Sequence, residues 1–469
     1  MDPAEPTARR LPRGVWAAVA ALASAVYTFF VLVLPARGLT FVSDDWQHLS
    51  RLATTPWPQR WLMKGFVEHW PPLMWVLLDF ERTAFGLDHT FFVLTAWSLH
   101  VANVFLLGLL LEARTGDARA GALAAAAFGL TTHHRAIVWW PCSVGNWALC
   151  FLVTTLGFLA LERYRASGSW RWLVGAAVAA LTAPMCIGLG LALGPALALE
   201  CLLLLEGSRR WRALATVLAG FGAYALLYSI FVGGQSTRFF PRSGGEVLLA
   251  ARFGADLVGT GMVEGVLGHA IGHADTTGPA SLAAYLVLVL ALGAWLEKDG
   301  RKKLLLAHVY LALLVGPIAL TRWGLGQGLL ATESRYQYLP SIVWTTVLAF
   351  GLARARARRG VTAAALVGLA ALALVHALGA SDDRNFYAPA VRRQHPLVLE
   401  HLALAVRSAH GPVYDAELPE GLGTKGVRVA HMLYVLDPGT RATFTLARTP
   451  ETLAPYRADP VLAELFGPF

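Results

Sequence analysis

An all-α polytopic membrane protein of about eleven transmembrane helices, with a small extracytoplasmic α/β domain at its C-terminus, is the fold class predicted by three features of this 469-residue sequence. Hydrophobic residues make up 56% of the chain and charged residues 15%, whereas soluble domains carry about a quarter charged residues. Apolar runs recur at close to the roughly 20 residues that cross a bilayer. Basic residues gather in the short segments between those runs, the pattern of positive-inside anchors. The mean hydropathy of +0.52 agrees. An ordinary soluble enzyme is excluded, and the net charge of +9 reads as loop anchors with no nucleic-acid partner.

Arg9, Arg10 and Arg13 precede the first apolar run, Trp16 to Leu34, which is too long for a signal-peptide core and is expected to stay as a span. The basic N-terminus then lies in the cytoplasm, and residues 37–89 form a first exterior loop. Further runs are Thr90 to Leu111, Ala118 to about Arg135, Asn146 to Leu161, Trp172 to Met185, Ile187 to Leu205, Trp211 to Val232, Ser281 to Leu296, Leu304 to Leu320, Tyr336 to Leu352 and Val361 to Gly379. The stretch 233–278 is moderately apolar, but a crossing there would put the basic Lys298 to Lys303 loop outside. It is therefore expected as a second large exterior loop of interfacial or re-entrant helices. An odd number of spans carries residues 381–469 outside too. Charges, prolines and short alternating stretches such as Val427 to Val435 predict the small α/β domain there, after a transmembrane module of residues 1–380. The Ala/Arg/Leu bias and short loops point to a bacterial inner membrane, with the C-terminus periplasmic. The four cysteines show no metal spacing and read as small buried hydrophobes.

The polar residues worth attention lie mostly on the expected exterior side. Asp44 and Asp45 follow the first span in Ser43-Asp44-Asp45-Trp46-Gln47-His48. Neighbours on a helix point about 100° apart, so at most one of the two enters a site, as a general base for an acceptor hydroxyl. The competing reading makes Asp44 a helix N-cap with Gln47 three residues on. His69 sits in Glu68-His69-Trp70-Pro71-Pro72-Leu73, just before a charged amphipathic stretch with Asp79, Glu81 and Arg82. Trp57, Trp61, Trp70 and Trp75 are expected as an interfacial aromatic belt. His100 and Asn103 lie at membrane depth, where hydrogen bonds between helices are the common reason for such residues. His133, His134 and Arg135 close the third run and could hold a phosphate or a sugar, but adjacent histidines chelate one metal poorly. Glu333-Ser334-Arg335-Tyr336-Gln337-Tyr338 enters the tenth run. An arginine at the exterior boundary needs an anion, and guanidinium takes phosphate oxygens in a bidentate grip. A salt bridge to Glu333 is the alternative.

Taken in order, these segments resemble the GT-C superfamily of integral membrane glycosyltransferases, most closely the protein O-mannosyltransferase branch and its bacterial relatives. The resemblance runs through the acidic first-loop motif, His69-Trp70-Pro71-Pro72-Leu73, Ser98-Leu99-His100-Val101-Ala102-Asn103, Phe128 to Trp139, and Arg335-Tyr336-Gln337-Tyr338-Leu339-Pro340. It covers about residues 15 to 380. It implies an inverting transfer, on the extracytoplasmic face, from a polyprenyl-phosphate-linked sugar to a hydroxyl of a protein, lipid or glycan acceptor. Asp44, with Asp45 as fallback, matches the family's catalytic carboxylate. Arg335 matches the arginine taken as the lipid-phosphate contact, with Arg135 and Tyr338 beside it. Trp46, His69, His133, His134 and Glu333 are the implied substrate-binding residues. Some relatives use a divalent metal and others do not, and no ligand set is assigned. The chain departs from the pattern at Thr182-Ala183-Pro184-Met185-Cys186, where relatives often carry a Lys-Glu pair, and at His69-Trp70, which replaces Tyr-Arg. Two other readings stand beside this one. A transporter or flippase would place ionisable groups deep in the spans, whereas here nearly all charges are expected at the exterior boundary. A catalytically inactive relative would serve as a scaffold subunit.

Overall fold

The computed structural model describes residues 14–36, 45, 48–49, 51–52, 55–63, 70–86, 88–131, 135–232, 241–267, 278–323, 334–356 and 360–378. Every regular element among them is helical. Seven helices are long and apolar enough to cross a membrane: Val15–Ala36 (α1), His89–Thr115 (α3), Gly145–Ser167 within α6, Gly207–Phe231 (α9), Lys298–Thr321 within α12, Tyr336–Ala355, and Val361–Leu378 (α15). Ala118–Leu130 (α4), Trp170–Cys186 (α7), Gly188–Leu204 and Ala280–Trp295 are apolar but shorter. The apolar runs therefore all fall on helices, though seven meet the length for a crossing where about eleven spans were expected. The expected α/β domain, 381–469, lies outside the described residues.

The remaining helices are Pro72–Phe85 (α2), Arg135–Trp139 (α5), Pro141–Ser167 (α6), Leu193–Leu204 (α8), Gly244–Leu267 (α10), Gly278–Trp295 (α11), Lys298–Arg322 (α12), Ser334–Tyr338 (α13) and Ser341–Ala355 (α14). The interfacial pieces expected over 233–278 include a single long helix, α10. Its middle touches the far end of α12: a methyl on Gly254 would meet Ala319 at 3.3 Å and Val315 at 3.6 Å.

Small residues let α1, α3 and α4 approach closely, the usual route to helix packing in lipid, where hydrophobic burial gives little drive. A Cβ on Gly108 would come within 2.8 Å of Ala17, and one on Gly121 within 2.7 Å of the Glu112 backbone nitrogen. Alanine-rich α4 is enclosed on almost every side. Its N-cap is Asp117, whose Oδ1 accepts from the backbone N–H groups of Arg119 at 3.0 Å and Ala120 at 3.2 Å.

The Thr182 to Cys186 segment, where the family pattern is altered, forms a tight corner. Pro184 lies inside α7 and removes a ladder donor. The chain folds back at Gly190, where a Cβ would collide with the Ala183 carbonyl. The freed Cys186 carbonyl accepts instead from Asn146 Nδ2 of α6 at 3.2 Å.

Candidate functional site

Two polar regions flank the bundle, one at the His89 end of α3 and one at its Arg114 end. At the His89 end a short helical turn contains Asp45, His48, Leu49, Arg51 and Leu52. Leu49 and Leu52 are fully buried, which anchors the turn against the bundle. Trp75 of α2 lies under it: the His48 ring packs edge-on at 5.3 Å between centroids, and the Arg51 guanidinium sits 5.5 Å over the indole. Trp75 Nε1 donates to the Met63 carbonyl at 2.9 Å and Trp70 Nε1 to Leu62 at 3.1 Å. Trp70 and Trp75 are thus interior struts of the loop. This corrects the aromatic-belt expectation for both, while Trp57 stays 63% exposed.

Two carboxylates on α2 meet opposite surroundings. Asp79 accepts from Arg60 Nη1 at 3.0 Å, Trp61 Nε1 at 2.9 Å and Arg82 Nη2 at 3.1 Å. Burial works against its charge, but Trp61, Arg82 and Arg60 outweigh it and hold the carboxyl below its ordinary range. Glu81, 2% exposed, has no ion-pair partner among the described residues, and its Oε2 has no hydrogen-bond partner among them. Burial pushes it up to about 8, and the neighbouring Asp45 charge adds to the rise. Asp45 is itself 0% exposed. Burial, then Asp45 and Glu81, drive the Cys142 thiol well above its usual value, so three acidic groups converge at the start of α6. Burial, helped by Arg51, takes His48 down to about 3, which keeps it neutral.

The segment entering α14 reaches the same start of α6. The Tyr336 ring meets Trp147 at 5.6 Å, nearly perpendicular. Tyr338 is fully buried between Phe128 and Phe151, with centroids 5.3 and 5.1 Å away. Its hydroxyl lies 2.9 Å from His100 Nδ1 and accepts from Asn103 Nδ2 at 3.1 Å; Asn103 Nδ2 also donates to the Ala148 carbonyl at 2.8 Å. The expected interhelical role of His100 and Asn103 is what they perform. For Tyr338 this setting differs from a phosphate contact: the hydroxyl bolts α13 to α3. Gln337 Nε2 adds a bond to the Leu257 carbonyl of α10 at 2.9 Å. The backbone of Arg335 lies in α13, so this bolt fixes where that residue stands, while its side chain lies outside the described residues. Arg135 opens α5, half-buried, and Trp139 Nε1 ties that helix to the Leu32 carbonyl of α1 at 2.9 Å. Asp44, Trp46, His69, His133, His134 and Glu333 lie outside the described residues. Among the described residues no three metal-ligating side chains gather.

The Arg114 end holds a region that the sequence reading missed. Arg114, 1% exposed in its side chain, reaches Glu200 Oε1 at 2.5 Å and Glu162 Oε1 at 3.9 Å, with its guanidinium 4.7 Å over the Phe158 ring. Arg165 pairs with Glu162 at 3.4 Å and Asp299 at 2.9 Å. Lys303 pairs with Asp299 at 3.4 Å and donates to the Arg114 carbonyl at 2.9 Å. Nearby, Arg356 Nη1 meets Asp117 Oδ2 at 2.6 Å. These contacts overturn the expectation that nearly all charges sit at the exterior boundary. The available signal was Glu200, an ionisable residue inside an apolar run, which calls for a buried partner.

No protein-family model matches the chain, and a search of curated proteins finds no match.

Proposed function

We propose that this protein is a GT-C-like glycosyltransferase that moves a sugar from a polyprenyl-phosphate donor to an acceptor hydroxyl at the His89 end of the bundle. The observation that carries this reading is the convergence on the first turns of α6, where Cys142 lies beside Asp45 and Glu81, and Trp147 meets the segment bearing Arg335. A carboxylate and an arginine segment brought to one place supply the two functions such a transfer needs. The Asp44-Asp45 carboxylate takes the acceptor proton as the acceptor oxygen attacks the anomeric carbon. The carbon–oxygen bond to the lipid phosphate breaks with inversion, its electron pair leaves on the phosphate, and Arg335 stabilises that charge. Transfer on the periplasmic face of a bacterial inner membrane, with the N-terminus cytoplasmic, belongs to the same proposal.

The test is release of polyprenyl phosphate from a panel of polyprenyl-phosphate sugars by the purified protein, with a membrane or periplasmic extract as acceptor source. Losing the base should slow release by about 10²- to 10⁴-fold, in Asp45→Asn or in Asp44→Asn. Arg335→Ala should act in the same direction. Unchanged release in all three variants removes the role assignment. The Arg114, Glu162 and Glu200 cluster is an observation in favour of transport, because it puts charge inside the bundle. Its charges are matched and lie at helix ends, which suits a clamp better than a solute path. Protein-dependent solute flux in liposomes would reverse that preference.

A further inference from the structure

We propose that Glu81 is a positioning residue for Asp45: it carries the single proton that these two buried carboxyls share at rest, which leaves Asp45 as the anion. The inference rests on the transferase reading for its purpose, though not for its test. Three observations support it.

Glu81 is 2% exposed, and no described cation pairs with it, whereas Asp79, two residues earlier on α2, has two. An isolated buried carboxylate is too costly to keep ionised when it can take a proton instead. Glu81 also hydrogen-bonds Thr95 of α3. The Thr95 hydroxyl already donates its one proton to the Phe91 carbonyl, 3.0 Å away, so only its lone pairs remain for Glu81. That bond needs a carboxyl O–H as its donor. The third observation is the neighbour: Asp45 is also fully buried, and two like charges side by side cannot both ionise cheaply.

The other titratable and charged groups on elements packed against this face do not supply a missing cation. His48 is held neutral and Arg51 stacks on Trp75. Arg60 and Arg82 are spent on Asp79. Cys142 from α6 and Cys186 from α7 are buried thiols held in their neutral form. His89 opens α3 beside Asp88, and burial favours its neutral ring. With the proton on Glu81, Asp45 keeps a lone negative charge and a free lone pair, the state a general base requires. When both carboxyls are ionised, each holds protons more tightly, and the pair behaves as one coupled unit.

The test uses the full-length protein in detergent and reads protonation directly. Infrared difference spectra between pH 6 and pH 10 should contain the carbonyl band of a buried carboxylic acid that disappears near pH 8, and Glu81→Gln should lack that band. The thermal stability of Glu81→Gln should also lose the decline that the wild type suffers over the same range. A wild-type spectrum with no such band, or a band that persists in Glu81→Gln, overturns the proposal. If the band behaves as expected while Asp45→Asn and Asp44→Asn both leave lipid-phosphate release unchanged, the shared proton stands and the transferase role falls.

Discussion

The two ends of the bundle both bury acidic side chains, and they treat them differently. At the Arg114 end three carboxylates, Glu162, Glu200 and Asp299, face three cations, Arg114, Arg165 and Lys303. At the His89 end Asp45 and Glu81 lie together, and Glu81 has no described cation. Matched charge is what a clamp between helix ends needs, because every ion removed from water gains a partner. An acid left without a counter-ion costs stability, and such a cost is commonly found where a pKa is being tuned for a reaction. The contrast separates a region that holds the fold from one available for chemistry.

The strongest way to break the comparison is to unbalance the matched end. Arg114→Ala leaves Glu200 and Glu162 buried without their main cation and should cost about 3–5 kcal/mol, read as a large drop in thermal melting temperature in detergent. Arg114→Met combined with Glu200→Gln and Glu162→Gln should recover much of that loss, since the uncompensated charges are gone. If Arg114→Ala melts like the wild type, the clamp is incidental.

A pH titration sharpens the contrast within α2 itself. Burial raises Glu81, so the folded protein binds that proton more tightly than the unfolded chain. Its contribution is intact below the ordinary value of 4.5 and declines as pH climbs to about 8. Asp79 is lowered, so its contribution is present at neutral pH and fades on acidification. Replacing Glu81 with Gln should flatten the alkaline side alone, and replacing Asp79 with Asn should flatten the acid side alone, both followed by melting temperature against pH.

Tyr338→Phe is a smaller perturbation. It removes one hydroxyl from the His100 and Asn103 set and should cost about 1–3 kcal/mol because buried donors lose their acceptor. If the bolt positions Arg335, the same variant should raise the KM for the lipid donor more than it lowers kcat. The smallest effect belongs to the exposed Arg354–Glu297 pair, 3.6 Å apart. Arg354→Ala should change stability by less than about 1 kcal/mol, within the scatter of a melting curve.

Which parts of this were readable from the sequence follows from the range of each interaction. Helices are local: a run such as Leu304 to Leu320 declares itself through its own apolar length, and it lies within α12. Charge pairing is not local. Glu200 meets Arg114 across 86 residues, and nothing near either residue announces the other. Trp70 and Trp75 looked like membrane-interface residues because their chemistry suits an interface, yet the indole N–H groups find the Leu62 and Met63 carbonyls. Asp45 was legible as a candidate by its place after the first span. Glu81 was seen only as one charge in an amphipathic stretch, because its significance depends on Asp45, Thr95 and Cys142 arriving from three other elements.

The enclosure of α4 also bears on how the protein is made. At 13 residues the helix measures about 20 Å, short of the roughly 30 Å of hydrocarbon that a free-standing span must cover. Its surface is mostly alanine and glycine pressed against α1 and α3, with Gly129 against Ser24 and Gly108 against Ala17. Such a segment offers lipid little to recognise and has no stable place in a bilayer before its neighbours are there. Biogenesis must therefore deliver α3 and α4 as a hairpin through the Thr115 to Asp117 turn and close them on α1. A ribosome paused between Leu130 and the later spans should hold α4 still accessible to the insertion machinery, and it should become protected only once Ser24 and Val104 have closed over it.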